Sequence, residues 1–90
     1  MSRITKKITM HNENREKGTA EILIYPDGVK LVVRDEYQYP IFGKSLGSET
    51  SAKRFLSVHF GKGWKKSSEI IYTWERLENG KIRINQEFKR

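Results

Sequence analysis

Aromatic and basic side chains alternate near the end of the chain, in a pattern suited to contact with nucleic acid. Tyr72 and Trp74 stand two residues apart, and their rings could stack on unpaired bases. Cations around them could neutralise phosphates. The predicted contact residues of this segment are Tyr72, Trp74, Arg76, Arg83 and Lys89. The alternative is that both rings belong to the core and are covered by the N-terminal strand or by residues 38–47.

A second basic cluster follows the chain from a predicted helix into the segment after it. No acid interrupts the sequence from Thr50 to Ser68, so a helix face and a flexible basic turn could grip a phosphate backbone, which positions a protein without specifying sequence. A solvated helix face is an equal alternative. Trp64 could stack or insert, but a hydrophobic plug over the helix end is favoured. The predicted contact residues are Lys53, Arg54, Lys62, Trp64, Lys65 and Lys66.

Residue types that would support catalysis or metal binding do not come together. The absence of cysteine excludes thiol catalysis and cysteine-based zinc sites. Gly43-Lys44-Ser45 resembles the end of a phosphate-binding loop, but Gln38 stands where its first glycine is required. His11 and His59 are the only histidines, and they make no metal site. We therefore expect a non-enzymatic protein with no cofactor and no metal.

Composition indicates a small basic protein. The 90 residues, which we interpret as one domain over 1–90, contain 18 Lys and Arg against 11 Asp and Glu, giving a net charge of +7. This balance favours polyanionic partners, with nucleic acid first and an anionic membrane surface or an acidic protein second, and the alternative is that the charge serves solubility alone. No segment approaches the roughly 20 apolar residues of a membrane span, and the N-terminal residues lack the apolar run of a signal peptide. A cytoplasmic protein that has no membrane partner is the expectation.

Two hairpins and one helix are predicted. Ile4 to Met10 reads as an edge strand, His11 to Gly18 as a loop, and residues 19–25 and 29–37 as a hairpin around Pro26-Asp27-Gly28, with Gly28 in a left-handed conformation. That hairpin pairs Ile24 with Val29, Ile22 with Leu31 and Ala20 with Val33. Residues 38–47 form either a short edge strand or a crossing loop. Apolar spacing predicts an amphipathic helix over about 49–60, capped by Ser48 and ended by Gly61.

The Asn79-Gly80 dipeptide predicts the last hairpin, between residues 69–77 and 81–90. A two-residue turn would pair Glu78 with Lys81 and fix every later partner. Leu77, Ile71, Ile82, Ile84 and Phe88 would then face the helix. The opposite face would carry Tyr72 and Trp74 together with Arg76, Arg83 and Lys89.

Residues 20–60 resemble the entry to the helix in the three-stranded AP2 and integrase-arm DNA-binding domains. A hairpin and a short extended segment lead into Leu46-Gly47-Ser48-Glu49-Thr50-Ser51-Ala52. The resemblance covers under half of the chain, and the richly basic strands of that family are not matched here. It implies a sheet that lies in the major groove, with Lys30 and Arg34 at contact positions.

The sequence therefore predicts an α+β fold: an antiparallel sheet of four to six strands with one helix on one face, in the order β-β-β-(β)-α-β-β. The leading functional hypothesis is a small nucleic-acid-binding protein, with single strands slightly preferred over duplex. The alternative is a protein-binding accessory or inhibitor module, for example from a phage or mobile element, that docks on an acidic host protein.

Overall fold

A computed structural model describes residues 3–13 and 18–89 as an antiparallel sheet with one helix. The strands lie side by side in the order β4-β3-β2-β1-β5-β6. The predicted α+β class and element order are confirmed, with residues 38–47 supplying the optional strand. The elements are β1 (Lys6–Asn12), β2 (Thr19–Tyr25), β3 (Gly28–Arg34), β4 (Pro40–Leu46), α1 (Glu49–Phe60), β5 (Trp64–Arg76) and β6 (Ile82–Lys89).

The β2–β3 hairpin has the predicted register. Ile22 lies opposite Leu31, with the pairs Ile24–Val29 and Ala20–Val33 on either side. The turn differs from the prediction, because Tyr25 pairs with Gly28 and only Pro26 and Asp27 connect the strands. Gly28 is the first residue of β3 and does not have the predicted positive φ.

The prediction of an N-terminal edge strand is wrong, because β1 lies between β2 and β5. Lys6 is accommodated in this central position by an ion pair of 3.0 Å with Glu69 of β5 and one of 3.4 Å with Glu49 of α1. The hydrogen bond to Glu69 raises the pKa of Lys6, although partial burial lowers it. His11 and Asn12 complete β1 instead of starting the predicted loop. Residues 14–17 of that loop and Arg90 of the predicted last strand lie outside the described residues.

The core lies between α1 and one face of β1, β2 and β3. Ser48 caps the helix by accepting a hydrogen bond from the Ser51 backbone N–H, and Gly61 ends it at a φ of 83°. The helix packs mainly on β2, β3 and β4, where the Phe42 ring stacks on Phe55 at 5.4 Å. The buried apolar residues are Ile8, Met10, Ala20, Ile22, Val29, Leu31, Val33, Ala52 and Leu56.

The segment after the helix is a strand and not a flexible basic turn. Strand β5 begins at Trp64, so Lys65 and Lys66 are strand residues paired with β1. Trp64 packs against the core and donates its indole N–H to the Phe60 carbonyl at 3.3 Å. The plug interpretation of Trp64 is thereby confirmed.

Candidate nucleic-acid interface

The turn of the last hairpin has three residues, Glu78, Asn79 and Gly80. The Leu77 backbone N–H donates to the Lys81 carbonyl at 2.8 Å, and the Gly80 N–H donates to the Leu77 carbonyl at 3.0 Å. Gly80 has a φ of 83°, as expected of a type I turn followed by a left-handed glycine. The predicted two-residue turn is therefore wrong, and every pair of the ladder moves by one residue.

The observed register changes which side chains share a face. Trp74 lies opposite Ile84, Tyr72 opposite Gln86 and Ile70 opposite Phe88. Directly opposed residues project from the same side of a sheet. Tyr72 and Trp74 therefore share their face with Ile70, Ile84 and Phe88. The predicted apolar, helix-facing set is wrong for Ile82, Ile84 and Phe88.

Arg83 and Lys89 belong to the other side of the hairpin. Arg83 lies opposite Glu75, with 3.9 Å between their charged atoms, and Lys89 lies opposite Glu69. Alternation puts these residues on the side of the sheet that also carries α1. The predicted surface that joined Tyr72, Trp74 and Arg76 to Arg83 and Lys89 is therefore not formed.

The strand registers define one continuous row of side chains on the side of the sheet away from the helix. Phe88 lies opposite Ile70, Ile70 opposite Lys7, Lys7 opposite Leu23, and Leu23 opposite Lys30. Because the buried residues Ile22 and Leu31 face α1, this row faces away from it. We call this side of the sheet the open face.

Positive charge dominates the open face. Alternation along the described strands and the residues next to them gives six cations there and two acids, Glu21 and Glu13, both of which form ion pairs. Glu21 forms ion pairs with Lys7 at 3.1 Å and with Arg34 at 2.6 Å, and Lys65 is paired with Glu13. The cations are Arg3, Lys7, Lys30, Arg34, Lys65 and Arg76.

The Glu21 carboxyl is held ionised between its two cations. Burial opposes its ionisation, but hydrogen bonds from Arg34 and Lys7 outweigh that effect and hold its pKa below the usual value. Arg34 also donates to the Gln38 carbonyl at 3.2 Å. Among the described residues, Arg3, Lys30 and Arg76 have no acidic partner on this face.

The two aromatic residues are half-buried, and the Trp74 ring is held in place by contacts with the residues before β1. The indole N–H of Trp74 donates to the Ile4 carbonyl at 2.7 Å, and the Arg3 guanidinium lies 5.1 Å from the centre of the Trp74 ring. The Tyr72 backbone N–H donates to the Thr5 carbonyl at 2.9 Å. The residues before β1 therefore cover part of the Trp74 ring and leave the rest exposed. This position is intermediate between the two alternatives that the sequence left open, an exposed stacking surface and a buried core residue.

The cations around the helix are divided between the two sides of the sheet. Lys53 pairs with Glu49 at 3.0 Å and Lys66 with Glu69 at 3.9 Å. Alternation along β5 puts Lys65 on the open face and Lys66 on the helix side. Arg54 and Lys62 make no ion pair within the described part of the chain. Arg54 and Lys62 are thus the two cations of the predicted helix cluster that have no acidic partner in the described residues.

Residues 3–13 and 18–89 contain neither a metal-binding cluster nor a membrane-spanning helix. These residues contain no group of three or more His, Asp or Glu side chains placed to hold a metal ion. No helix in this part of the chain is long and apolar enough to cross a membrane.

Comparison of the chain with models of known protein families, with curated proteins and with solved structures gave no significant match.

Four open-face cations are not among the contact residues predicted from the two basic clusters: Arg3, Lys7, Lys30 and Arg34. Lys30 and Arg34 were marked only by the resemblance of residues 20–60. Strand alternation within the correctly predicted β2–β3 hairpin already puts Lys30 and Arg34 on the side away from Ile22 and Leu31. Arg3 and Lys7 required the central position of β1, which the sequence did not indicate.

Proposed function

We propose that this chain binds single-stranded nucleic acid along the open face. The observation that carries the proposal is that one side of the sheet brings Tyr72 and Trp74 together with six cations and only two acids, each of which is held in ion pairs. Exposed sheets bind single strands by stacking bases on aromatic side chains while cations hold the phosphates. The binding residues retained from the sequence are Tyr72, Trp74, Arg76 and Lys65.

The geometry supports an extended contact that crosses several strands. Trp74 and Arg76 lie on β5, while Lys30 and Arg34 lie on β3. Three strand spacings separate β5 from β3, which is about 14 Å at about 4.8 Å per spacing. A bound strand would stack on the β5 rings and run across β1 and β2 toward the β3 cations.

The protein acts, in this proposal, without catalysis and in the cytoplasm. Half-exposed rings favour an unpaired strand, because a duplex keeps its base faces stacked internally. A duplex held through its phosphates alone would make less use of Tyr72 and Trp74.

Fluorescence anisotropy with a labelled single strand tests the proposal. Neutralisation of three to four phosphates predicts a slope of about −2 to −3 in log affinity against log salt, hence a loss of about 20- to 50-fold between 50 and 200 mM salt. A duplex of the same sequence is the matched comparison and should bind more weakly. Absence of oligonucleotide binding at 50 mM salt would contradict the proposal.

A protein partner is the second candidate, and one observation favours it. Ile82, Ile84 and Phe88 of β6 are 44%, 46% and 71% exposed, more apolar surface than phosphate binding requires. An accessory or inhibitor module, as in a phage or mobile element, would dock this surface and its neighbouring cations on an acidic host protein. Binding to an acidic protein with no oligonucleotide binding at low salt would favour this candidate.

A further inference from the structure

Strand β6 leaves a long, regular edge of the sheet unpaired within the described residues. All eight of its residues, Ile82–Lys89, are exposed, and its ladder with β5 runs without a register shift. The opposite edge, β4, begins with Pro40, contains Gly43 and has a register shift against β3. Proline, short breaks and bulges protect edges against pairing, and β6 has none of these.

The backbone groups of β6 that point outward can be assigned from the turn. The Leu77 N–H donates to the Lys81 carbonyl, and antiparallel ladders alternate the direction of their backbone groups. Arg83, Asn85 and Glu87 therefore direct their N–H and C=O groups at β5. The free row belongs to Ile82, Ile84, Gln86 and Phe88.

We propose that β6 pairs antiparallel with β6 of a second copy of this chain, about a two-fold axis at Asn85. In this register Arg83 lies opposite Glu87 of the second copy, and the same ion pair recurs on the other side of the axis. Ile82 lies opposite Phe88 of the second copy, and Ile84 opposite Gln86. The outward-pointing residues thus meet one another, as a ladder requires.

Charge complementarity identifies a second copy as the occupant. Arg83 and Glu87 lie two residues on either side of Asn85, so the antiparallel strand of a second copy presents each of these charges to its opposite. In this register these two residues are also a non-hydrogen-bonded pair, in which side chains approach most closely. The like charges Lys81 and Lys89 meet only at the ends, where Lys81 precedes the strand.

Neighbouring registers fit less well. An axis at Gln86 would place Arg83 opposite Lys89, which is a repulsive pair. An axis at Ile84 would pair only residues 82–86 within the strand and would leave Phe88 opposite Gly80, which precedes the strand. The axis at Asn85 retains seven paired residues, 82–88, with both charges matched.

The two open faces of such a dimer lie on the same side of a twelve-stranded sheet, because even-numbered residues of one β6 lie opposite even-numbered residues of the other.

The dimer proposal does not rest on nucleic-acid binding and is tested without it. Pairing of one strand edge buries less than the roughly 1,600 Å² of a standard interface. We therefore expect a dimer that dissociates on dilution, visible by sedimentation over a wide concentration range.

The absence of cysteine in the chain permits a sharp test of the register. Asn85→Cys places two thiols across the axis at a Cα separation of about 4.5 Å, within reach of a disulfide. Mild oxidation should give a covalent dimer of Asn85→Cys. Ile84→Cys and Gln86→Cys should cross-link poorly, because each lies about 7 to 8 Å from its own symmetry mate in this register.

Charge reversal provides a test that does not depend on cross-linking. Glu87→Arg should raise the dimer dissociation constant about tenfold, because two attractive pairs become repulsive, and adding Arg83→Glu should restore dimerisation. Circular dichroism checks that each variant folds. A wild-type mass that stays monomeric at the highest concentration, or preferred cross-linking at position 84 or 86, would overturn the proposal.

Discussion

The indole N–H of Trp74 donates a 2.7 Å hydrogen bond to the carbonyl of Ile4, 70 residues earlier in the chain. This bond joins β5 to the residues that lead into β1, and it holds the indole on the open face. Arg3 lies over the same ring, so the ring is oriented by a polar contact at its edge and a cation on its face. A ring fixed in this way loses little conformational freedom when a base stacks on it.

Trp74→Phe and Trp74→Ala should separate the structural role of the indole hydrogen bond from the proposed stacking of the ring on a base. Trp74→Phe removes the hydrogen bond, so the free energy of unfolding should fall by about 1 kcal/mol, while the ring that stacks is retained. Trp74→Ala removes the ring and should weaken oligonucleotide binding about 5- to 150-fold. Urea unfolding and anisotropy measure the two effects. Equal affinity of Trp74→Ala and the wild type would rule out stacking on this ring.

Arg76→Gln and Arg54→Gln form a matched pair on opposite sides of the sheet. Both arginines are exposed and have no acidic partner among the described residues. Arg76→Gln should reduce the magnitude of the salt slope for single strands by about 0.7, because one phosphate contact is lost. Arg54→Gln should leave the slope unchanged. The reverse result would move the binding surface to the helix.

Glu21→Gln should change stability and binding in opposite directions. Loss of the carboxylate between Lys7 and Arg34 should lower the free energy of unfolding at pH 7 by about 1 to 2 kcal/mol. The same change frees two cations on the open face, so oligonucleotide affinity and the magnitude of the salt slope should increase. Glu36→Gln, which removes an exposed acid that makes no ion pair in the described residues, is the control.

The pH dependence of stability follows from the lowered pKa values of Glu21 and Glu69. Hydrogen bonding to Lys6 is the main cause at Glu69. Both carboxylates stabilise the fold above their unfolded pKa of about 4.3, and this contribution is lost as the pH falls through the lower folded-state values. Urea unfolding should show a smaller drop between pH 7 and pH 3 for Glu21→Gln than for the wild type. An identical drop would show that the Glu21 ion pairs do not contribute to the pH dependence of stability.

Gly80→Ala should destabilise the last hairpin through backbone conformation alone. Gly80 has a φ of 83° and an added Cβ would meet nothing within 4 Å, so the cost is that of a left-handed alanine, about 1 to 2 kcal/mol. Gly47→Ala, also in open space but without a positive φ, should change the unfolding free energy by less than that. Thermal unfolding of both variants makes the comparison.

The first hairpin could be predicted from the sequence because its pattern permits one register. Ile22, Leu31 and their neighbours are buried on one side, while Glu21, Lys30 and Arg34 occupy the other. A slip of one residue would have buried these charges. The predicted β2–β3 register is therefore correct, although the prediction of the turn around Gly28 is wrong.

The last hairpin lacked that constraint. Ile70 and Ile71 put apolar side chains on both faces of β5, and β6 is exposed throughout, so burial does not select a register. The turn decides it, and Asn79-Gly80 is compatible with connections of two or three residues. The candidate site depended on this choice, which is why Tyr72, Trp74 and Arg76 remain together while Arg83 and Lys89 do not.

The central position of β1 in the sheet could not be predicted from its local sequence pattern either. Lys6 and Lys7 suggested a solvated edge, but each lysine has acidic partners from other elements: Glu49 and Glu69 for Lys6, and Glu21 for Lys7. These partners are distant in sequence, so no local window contains them. The central place of β1 is what brings Arg3 and Lys7 between the aromatic residues of β5 and the cations of β3.

Chemical-shift mapping by NMR with a single-stranded oligonucleotide tests the open face most directly. The largest changes should fall on Tyr72, Trp74 and Arg76 of β5, on Lys7 of β1 and on Lys30 of β3, with the Trp74 indole N–H among them. The amides of α1 should change little. Changes concentrated on Lys53, Arg54 and Lys62, with the Trp74 indole signal unmoved, would contradict binding on the open face.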